Sequence, residues 1–271
     1  MKLGSDTRAL VTGASRGIGR AIALELGARG ARVGLLGRDA SDLQEVAVEL
    51  RTRGAAADVL VANVADPRQV ESAFGQFTGA AGGLDLLVAN AGVAWYGPFR
   101  EMPLLEAERM TRVNWGGTLN TVHIGLPYML DRAHGHLLVV SSSAAYRSFP
   151  WAAVYGATKF AQRGFLEALR HELSGTGVGV TGVYPGSVKT HIHDENEAAG
   201  RMPDWYRPNL AISAERVAKV SVKAVERDQP TVFVPRAVQL MAVLHGISPA
   251  LGDRMMRRVL GGTAAPWRRR G

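Results

Sequence analysis

The chain has 271 residues, 46% of them hydrophobic and 21% charged, a balance that fits one globular α/β domain and excludes extensive disorder. It contains no cysteine, which removes disulfides, thiolate metal sites and thiol catalysis from consideration. The formal charge of +8 invites a polyanionic partner, but no helix-turn-helix, zinc-finger or RNA-binding pattern accompanies it, so nucleic acid is not expected.

Residues Met1 to Asp6 are polar, and no apolar run is long enough to span a bilayer; a soluble, cytoplasmic protein is expected. Short apolar runs then alternate with amphipathic segments. Strands are predicted at Arg8 to Thr12, Ala31 to Leu36, Asp58 to Val61, Leu84 to Ala89, His136 to Ser141, Gly179 to Tyr184 and Thr231 to Val234. Parallel strands need a helix between them to return the chain, so this alternation predicts a mostly parallel sheet with helices on both faces. No Pro-, Gly- or Ser-rich linker divides residues 1–271, which read as one domain. Residues 191–211 are polar and irregular, with Pro203, Trp205, Tyr206 and Pro208, and read as a substrate loop or lid. Residues 235–271 form a C-terminal extension, apolar at Val238, Leu240, Met241, Val243, Leu244, Met255, Met256, Val259 and Leu260 and broken by Gly246 and Pro249.

Three segments carry chemistry. Thr12-Gly13-Ala14-Ser15-Arg16-Gly17-Ile18-Gly19 joins the first strand to the first helix, where glycines permit a tight turn and the helix N-terminus offers free N–H groups to a pyrophosphate. A glycine-rich turn without a ligand is the competing reading. The second strand ends in Gly37-Arg38-Asp39. An acidic residue there would bind the ribose 2′-OH of NAD, whereas Arg38, assisted by Arg16, would pair with the 2′-phosphate of NADP; Asp39 reads as a helix cap, and NADP(H) is favoured over NAD(H). Tyr155 and Lys159 lie four apart on a predicted helix, hence on one face. A phenol with pKa about 10 is a poor base near neutrality, and positive charge from Lys159 would favour phenolate. Such a pair also arises by chance. Ser141-Ser142-Ser143 ends the fifth strand, where one hydroxyl could hold a substrate oxygen, and no GxSxG elbow or suitably spaced histidine points to a hydrolase.

In order and spacing these segments resemble the short-chain dehydrogenase/reductase family over roughly Thr7 to Val234. Thr12 to Gly19 is similar to its TGxxxGxG turn, Asn90-Ala91-Gly92 to its NAG motif, and Tyr155 to Lys159 to its YxxxK motif. The resemblance implies a Rossmann-type doubly wound α/β fold with seven strands and a C-terminal helical extension. It implies a catalytic set of Asn114, Ser142, Tyr155 and Lys159, Ser142 standing thirteen positions before Tyr155. Tyr155 would give a proton to a carbonyl oxygen held by Ser142, Lys159 would bind the nicotinamide ribose, and Asn114 would hold a water for proton exchange. The implied cofactor contacts are Gly13, Ser15, Arg16, Gly17, Ile18, Gly19, Arg38, Asn63, Val64, Asn90, Ala91, Gly92, Tyr155, Lys159, Pro185, Gly186, Val188 and Thr190, with Asn63 replacing the family's usual Asp at the adenine contact. The expected protein is an NADP(H)-dependent oxidoreductase interconverting a carbonyl and an alcohol on a hydrophobic substrate, as a homodimer or homotetramer. A non-catalytic NADP(H) sensor or scaffold is the alternative, against which the intact catalytic set argues.

His191, His193, Asp194 and Glu195 could be drawn as a metal site, but no metal is expected, and the loop reading is preferred. Trp95, Tyr146, Phe149 and Trp151 either line an apolar pocket or pack in the core. The extension, with Arg254, Arg257 and Arg258, is expected to pack on its own domain or another subunit in preference to a membrane surface.

Overall fold

The computed structural model describes residues 1–202 and 211–259, and for residues 193, 194 and 255–259 the backbone alone. Pro203, Trp205, Tyr206, Pro208 and Leu260 therefore lie outside the described residues, as do the side chains of His193, Asp194, Met255, Met256, Arg257, Arg258 and Val259.

Seven strands, β1 (Arg8–Thr12), β2 (Arg32–Gly37), β3 (Ala57–Val61), β4 (Leu86–Ala89), β5 (Gly135–Val140), β6 (Val178–Pro185) and β7 (Thr231–Val234), form one sheet in the order β3-β2-β1-β4-β5-β6-β7. Every neighbouring pair is parallel. Alternation along the strands sets the two faces. Ala9, Val11, Val33, Leu35, Leu86 and Val88 join one core with helices α1 (Gly17–Gly27), α2 (Ala40–Thr52) and α8 (Ala214–Glu226). Leu10, Leu36, Leu87, Ala89, Leu137 and Val139 join the other with α3 (Pro67–Ala81), α5 (Gly117–Leu130) and α6 (Ala153–Glu172). The doubly wound fold is as expected, and strand ends move by one or two residues. β4 starts late because Asp85 is locked beside it, taking Nε and Nη2 of Arg8 at 2.6 Å each and the Arg8 backbone N–H at 2.9 Å.

The strand order reverses between β1 and β4. Crossovers leave toward opposite faces there, opening a crevice at the strands' carboxyl ends. Two helices beyond that plan shape it. α4 (Leu104–Met110) runs through a π-helical turn, Thr111–Gly116, into α5. α7 (His191–Ala198) occupies the start of the stretch read as an irregular loop. Its sequence has no apolar stripe to announce it; buried Asn196 anchors it instead. α9 (Ala237–Ile247) and α10 (Pro249–Val259) make up the described part of the extension.

His136, at the start of β5, is buried, and its Nε2 lies 2.8 Å from the Thr181 hydroxyl. That hydroxyl donates its proton to the Gln229 carbonyl at 2.8 Å, so it accepts from His136. Burial lowers the imidazole pKa to about 4, against the attraction of Asp228. The unfolded chain, titrating near 6.5, therefore binds a proton first as pH falls, and stability present above pH 6.5 is lost toward pH 4. Denaturant unfolding at pH 7 and pH 4.5 should show a loss of about 2–3 kcal/mol from this group. His136→Gln should remove that part of the pH dependence; an unchanged pH slope would contradict the assignment.

Candidate active site

Thr12, the last residue of β1, ties together the two strands flanking the crevice. Its hydroxyl donates to the Val88 carbonyl (3.3 Å) and accepts from the N–H groups of Asn90 (3.0 Å) and Ala91 (3.2 Å). The Asn90 side-chain amide returns the contact, donating to the carbonyls of Thr12 (3.0 Å) and Gly13 (3.2 Å). Gly13, at φ +63°, lies so close to Ala91 that a Cβ would come within 2.9 Å of the Ala91 Cα. Only glycine fits that backbone and that spacing.

α1 begins at this turn with Arg16 as its N-cap and no side-chain cap, and its first turn holds no acidic residue. α2 and α3 are capped by Asp39 and Asp66, which accept from the N–H groups of Ser41 and Asp42, and of Arg68 and Gln69. The uncapped N–H groups of α1, together with its dipole, form a place for an anion. A cleft of about 470 Å³ opens there. The predicted contacts Gly13, Ser15, Arg16, Gly17, Ile18, Arg38, Asn63, Val64, Asn90, Ala91, Gly92, Pro185, Gly186, Val188 and Thr190 line it, as do Ser142, Tyr155 and Lys159. This lining and the glycine cradle fit a dinucleotide.

Two expected residues do not reach the cleft. Gly19 is buried where any Cβ would collide with the Gly13 carbonyl and the Asn90 amide, so its glycine serves the close approach of α1. Asn114 is buried on the π turn, where its Oδ1 accepts from Val93 N–H (2.8 Å) and its Nδ2 donates to the Val93 carbonyl (2.9 Å) and the Thr158 hydroxyl (3.1 Å). Its carbonyl accepts from Gln162 Nε2 (2.9 Å) and the Thr118 hydroxyl (2.7 Å). These donors tie the Asn114 backbone to α5 and α6.

α6 carries Tyr155 and Lys159. Tyr155, half-buried, lines the cleft with Ser142, whose Oγ accepts from Ala144 N–H at 3.1 Å. Burial raises the phenol pKa and the Ser142 hydroxyl works against it. Lys159 is buried, with Nζ 3.5 Å from the Val140 carbonyl and 5.6 Å from the Tyr155 ring centre, and burial lowers its pKa to about 8. Burial, rather than the expected charge of Lys159, dominates the phenol's environment. Asn63 Oδ1 accepts from Ala65 N–H at 3.0 Å, fixing the side chain at the far end of the cleft.

Sequence reasoning missed Tyr96 and Asn196. Tyr96 lines the cleft and sets its ring edge-on to Tyr155, with centres 6.0 Å apart. Asn196 on α7 accepts from Tyr96 N–H (3.0 Å) and donates to the carbonyls of Ala94 (3.0 Å) and Ile192 (2.7 Å), pinning α7 over the site. Neither belongs to a motif, and their contact spans a hundred residues. Trp95, Tyr146, Phe149 and Trp151 are not among the cleft's lining residues. Trp95 is buried, and Tyr146 packs on Tyr184 and Phe233 with ring centres 4.9 and 5.0 Å away.

Fold and cleft together define a dinucleotide-binding α/β protein. The model of short chain dehydrogenases matches residues 7–200. An uncharacterised oxidoreductase of Myxococcus xanthus is 39% identical over 188 residues, covering 69% of this chain and 74% of its own. A short chain dehydrogenase/reductase from Burkholderia phymatum, solved in complex with NAD, superposes with a TM-score of 0.83 at 25% identity, covering 93% of this chain and 96% of its own. A 3-ketoacyl-ACP reductase from Sinorhizobium meliloti gives a TM-score of 0.75 at 34% identity over 83% of this chain and 96% of its own. The chain belongs to the short-chain dehydrogenase/reductase family of oxidoreductases. Structural neighbours include complexes with NAD and with NADP.

The clamp at Thr12 predicts the effect of removing its hydroxyl. Thr12→Val keeps the shape but leaves two N–H groups without their acceptor, and should cost about 1–3 kcal/mol in urea unfolding. A stability equal to wild type would show that Asn90 alone holds the strands.

Proposed function

We propose that this protein is an NADP(H)-dependent oxidoreductase interconverting a ketone or aldehyde and its alcohol. The observation that carries the reading is the meeting of Ser142, Tyr155 and Lys159 on one wall of the cleft, with the buried Lys159 Nζ 5.6 Å from the Tyr155 ring centre. The dinucleotide supplies or receives hydride when bound. In the reductive direction Tyr155, held protonated by burial, donates its phenolic proton to the substrate oxygen. Ser142 donates a second hydrogen bond to the same oxygen and stabilises the charge that gathers there. Lys159, with a pKa near 8, carries a proton at neutral pH; it would hold the ribose hydroxyls, and its charge steadies the phenolate that proton donation leaves on Tyr155. Asn114 acts as a positioning residue, bonding the Val93 backbone to Thr158 on the helix that presents Tyr155. Tyr96, Val93 and Ile192 give the cleft an apolar wall, which supports a hydrophobic substrate.

The NADP(H) preference rests on the end of β2. Arg38 is exposed, lines the cleft and makes no ion pair among the described residues. Asp39 spends its Oδ1 on the cap of α2, accepting from Ser41 N–H, Ser41 Oγ and Asp42 N–H at 3.0, 2.7 and 3.1 Å. Arg16 lies 3.3 Å from Asp42, an exposed pair weak enough to yield to a phosphate. A homo-oligomer joined through α4 and α6 belongs to the same reading, supported by exposed Leu104, Leu105 and Phe160.

Nicotinamide absorbance followed across a panel of ketones, aldehydes and secondary alcohols tests the chemistry. Tyr155→Phe should reduce kcat about 10²- to 10⁴-fold with dinucleotide affinity retained; full turnover would overturn the mechanism. Arg38→Ala should weaken NADPH binding by roughly tenfold to a hundredfold and leave NADH nearly unchanged. Equal losses for both would remove the 2′-phosphate role.

A further inference from the structure

The extension has two unlike faces. Inward, Val238 of α9 packs at the Gly186 wall of the cleft, where a Cβ on Gly186 would stand 3.3 Å from its methyl, and Asp253 of α10 pairs with Arg147 at 2.7 Å, five residues beyond Ser142. Outward, Leu240, Val243, Ile247 and Leu251 are 62%, 50%, 77% and 46% exposed. The first three follow helical spacing along one side of α9, and Leu251 continues the apolar surface onto the first turn of α10. Such a patch is expensive to leave in water.

Charge identifies what covers it. Residues 235–271 hold seven arginines and a single acidic residue, Asp253, so most of the chain's formal charge of +8 lies in this stretch. Asp253 is already paired with Arg147, while Arg236 at the start of α9 and Arg254 on α10 are exposed beside the apolar residues. A second copy laid on this face in a two-fold contact would bring Arg236 and Arg254 of both copies to one seam, like charge near like. Nucleic acid would answer the charge and leave the apolar groups wet. An anionic lipid surface satisfies both, taking leucine and isoleucine into its acyl boundary and arginines against its headgroups. We propose that the outer face of the α9–α10 hairpin docks on anionic membranes and sets the cleft beside the lipid. The docking stands whether or not the redox reading does.

The test uses the full chain and vesicles of phosphatidylcholine, alone or mixed with phosphatidylglycerol. Wild-type protein should co-sediment with the mixed vesicles, be released by high salt, and stay in solution with phosphatidylcholine alone. Leu240→Asp with Ile247→Asp should weaken that binding tenfold or more, and Arg254→Glu should weaken it less. Dinucleotide affinity, read by fluorescence titration, reports that each variant is folded; if the double variant fails this control, Arg254→Glu and the salt dependence decide. Failure of the wild type to bind mixed vesicles, or undiminished binding by folded variants, would overturn the proposal. So would absent vesicle binding combined with a fall in solution mass in the double variant, which would make this face an interface between copies.

Discussion

The structure depends on how two parallel strands are held together where their crossovers part. At the carboxyl ends of β1 and β4 the sheet's own hydrogen bonds run out, and each leftover N–H and carbonyl costs free energy unless something meets it. Thr12 and Asn90 meet most of them with two side chains. That clamp lets Gly13 lie against Ala91 and sets the turn through Gly17 at the mouth of α1. Everything downstream inherits its position from this junction: Gly92 follows Ala91, and a Cβ there would stand 3.7 Å from Lys159 Nζ.

From the junction the polar groups continue inward as a connected set. Tyr155, Thr158, Lys159 and Gln162 share one side of α6, and that side faces the π turn carrying Asn114. The extra residue of a π turn rotates Asn114 toward both α6 and the backbone of Val93, which an uninterrupted α-helix would not do. Buried polar groups of this kind are costly unless satisfied, and this set is nearly so. It keeps Tyr155 and Lys159 in a low-dielectric setting that moves their two protonation equilibria apart, the phenol upward and the ammonium down to about 8, because burial disfavours the charged form of each.

The elements that differ from a bare sheet-and-helix plan gather around the opening of the cleft. α7 closes down through Asn196, and α9 and α10 settle against Gly186 and Arg147. Their inner faces are specific and polar in part, their outer faces free to meet other surfaces. One core can thus keep its chemistry while the approach to it is altered, because the contacts that seat these helices are few and lie outside the two hydrophobic cores.

Much of this was written along the chain. Short apolar runs located all seven strands, and the glycine turn, Arg38, Asp39, Ser142, Tyr155 and Lys159 could be picked out because each stands in a short motif, at a strand end or at a fixed helical spacing. Asp39 caps α2 as its position after β2 suggested. What tertiary structure alone decided depends on partners far apart in sequence. Asn196 reads as one polar residue in a polar stretch until Tyr96 and Ala94, a hundred residues earlier, take up its hydrogen bonds. Gln162 gains its meaning from Asn114, Gly19 from Asn90, and the burial that shifts Tyr155 and Lys159 from the closing of α6 onto the sheet. Local pattern records which side of an element is buried; which groups meet there, and how far water is excluded from them, is fixed when the elements pack.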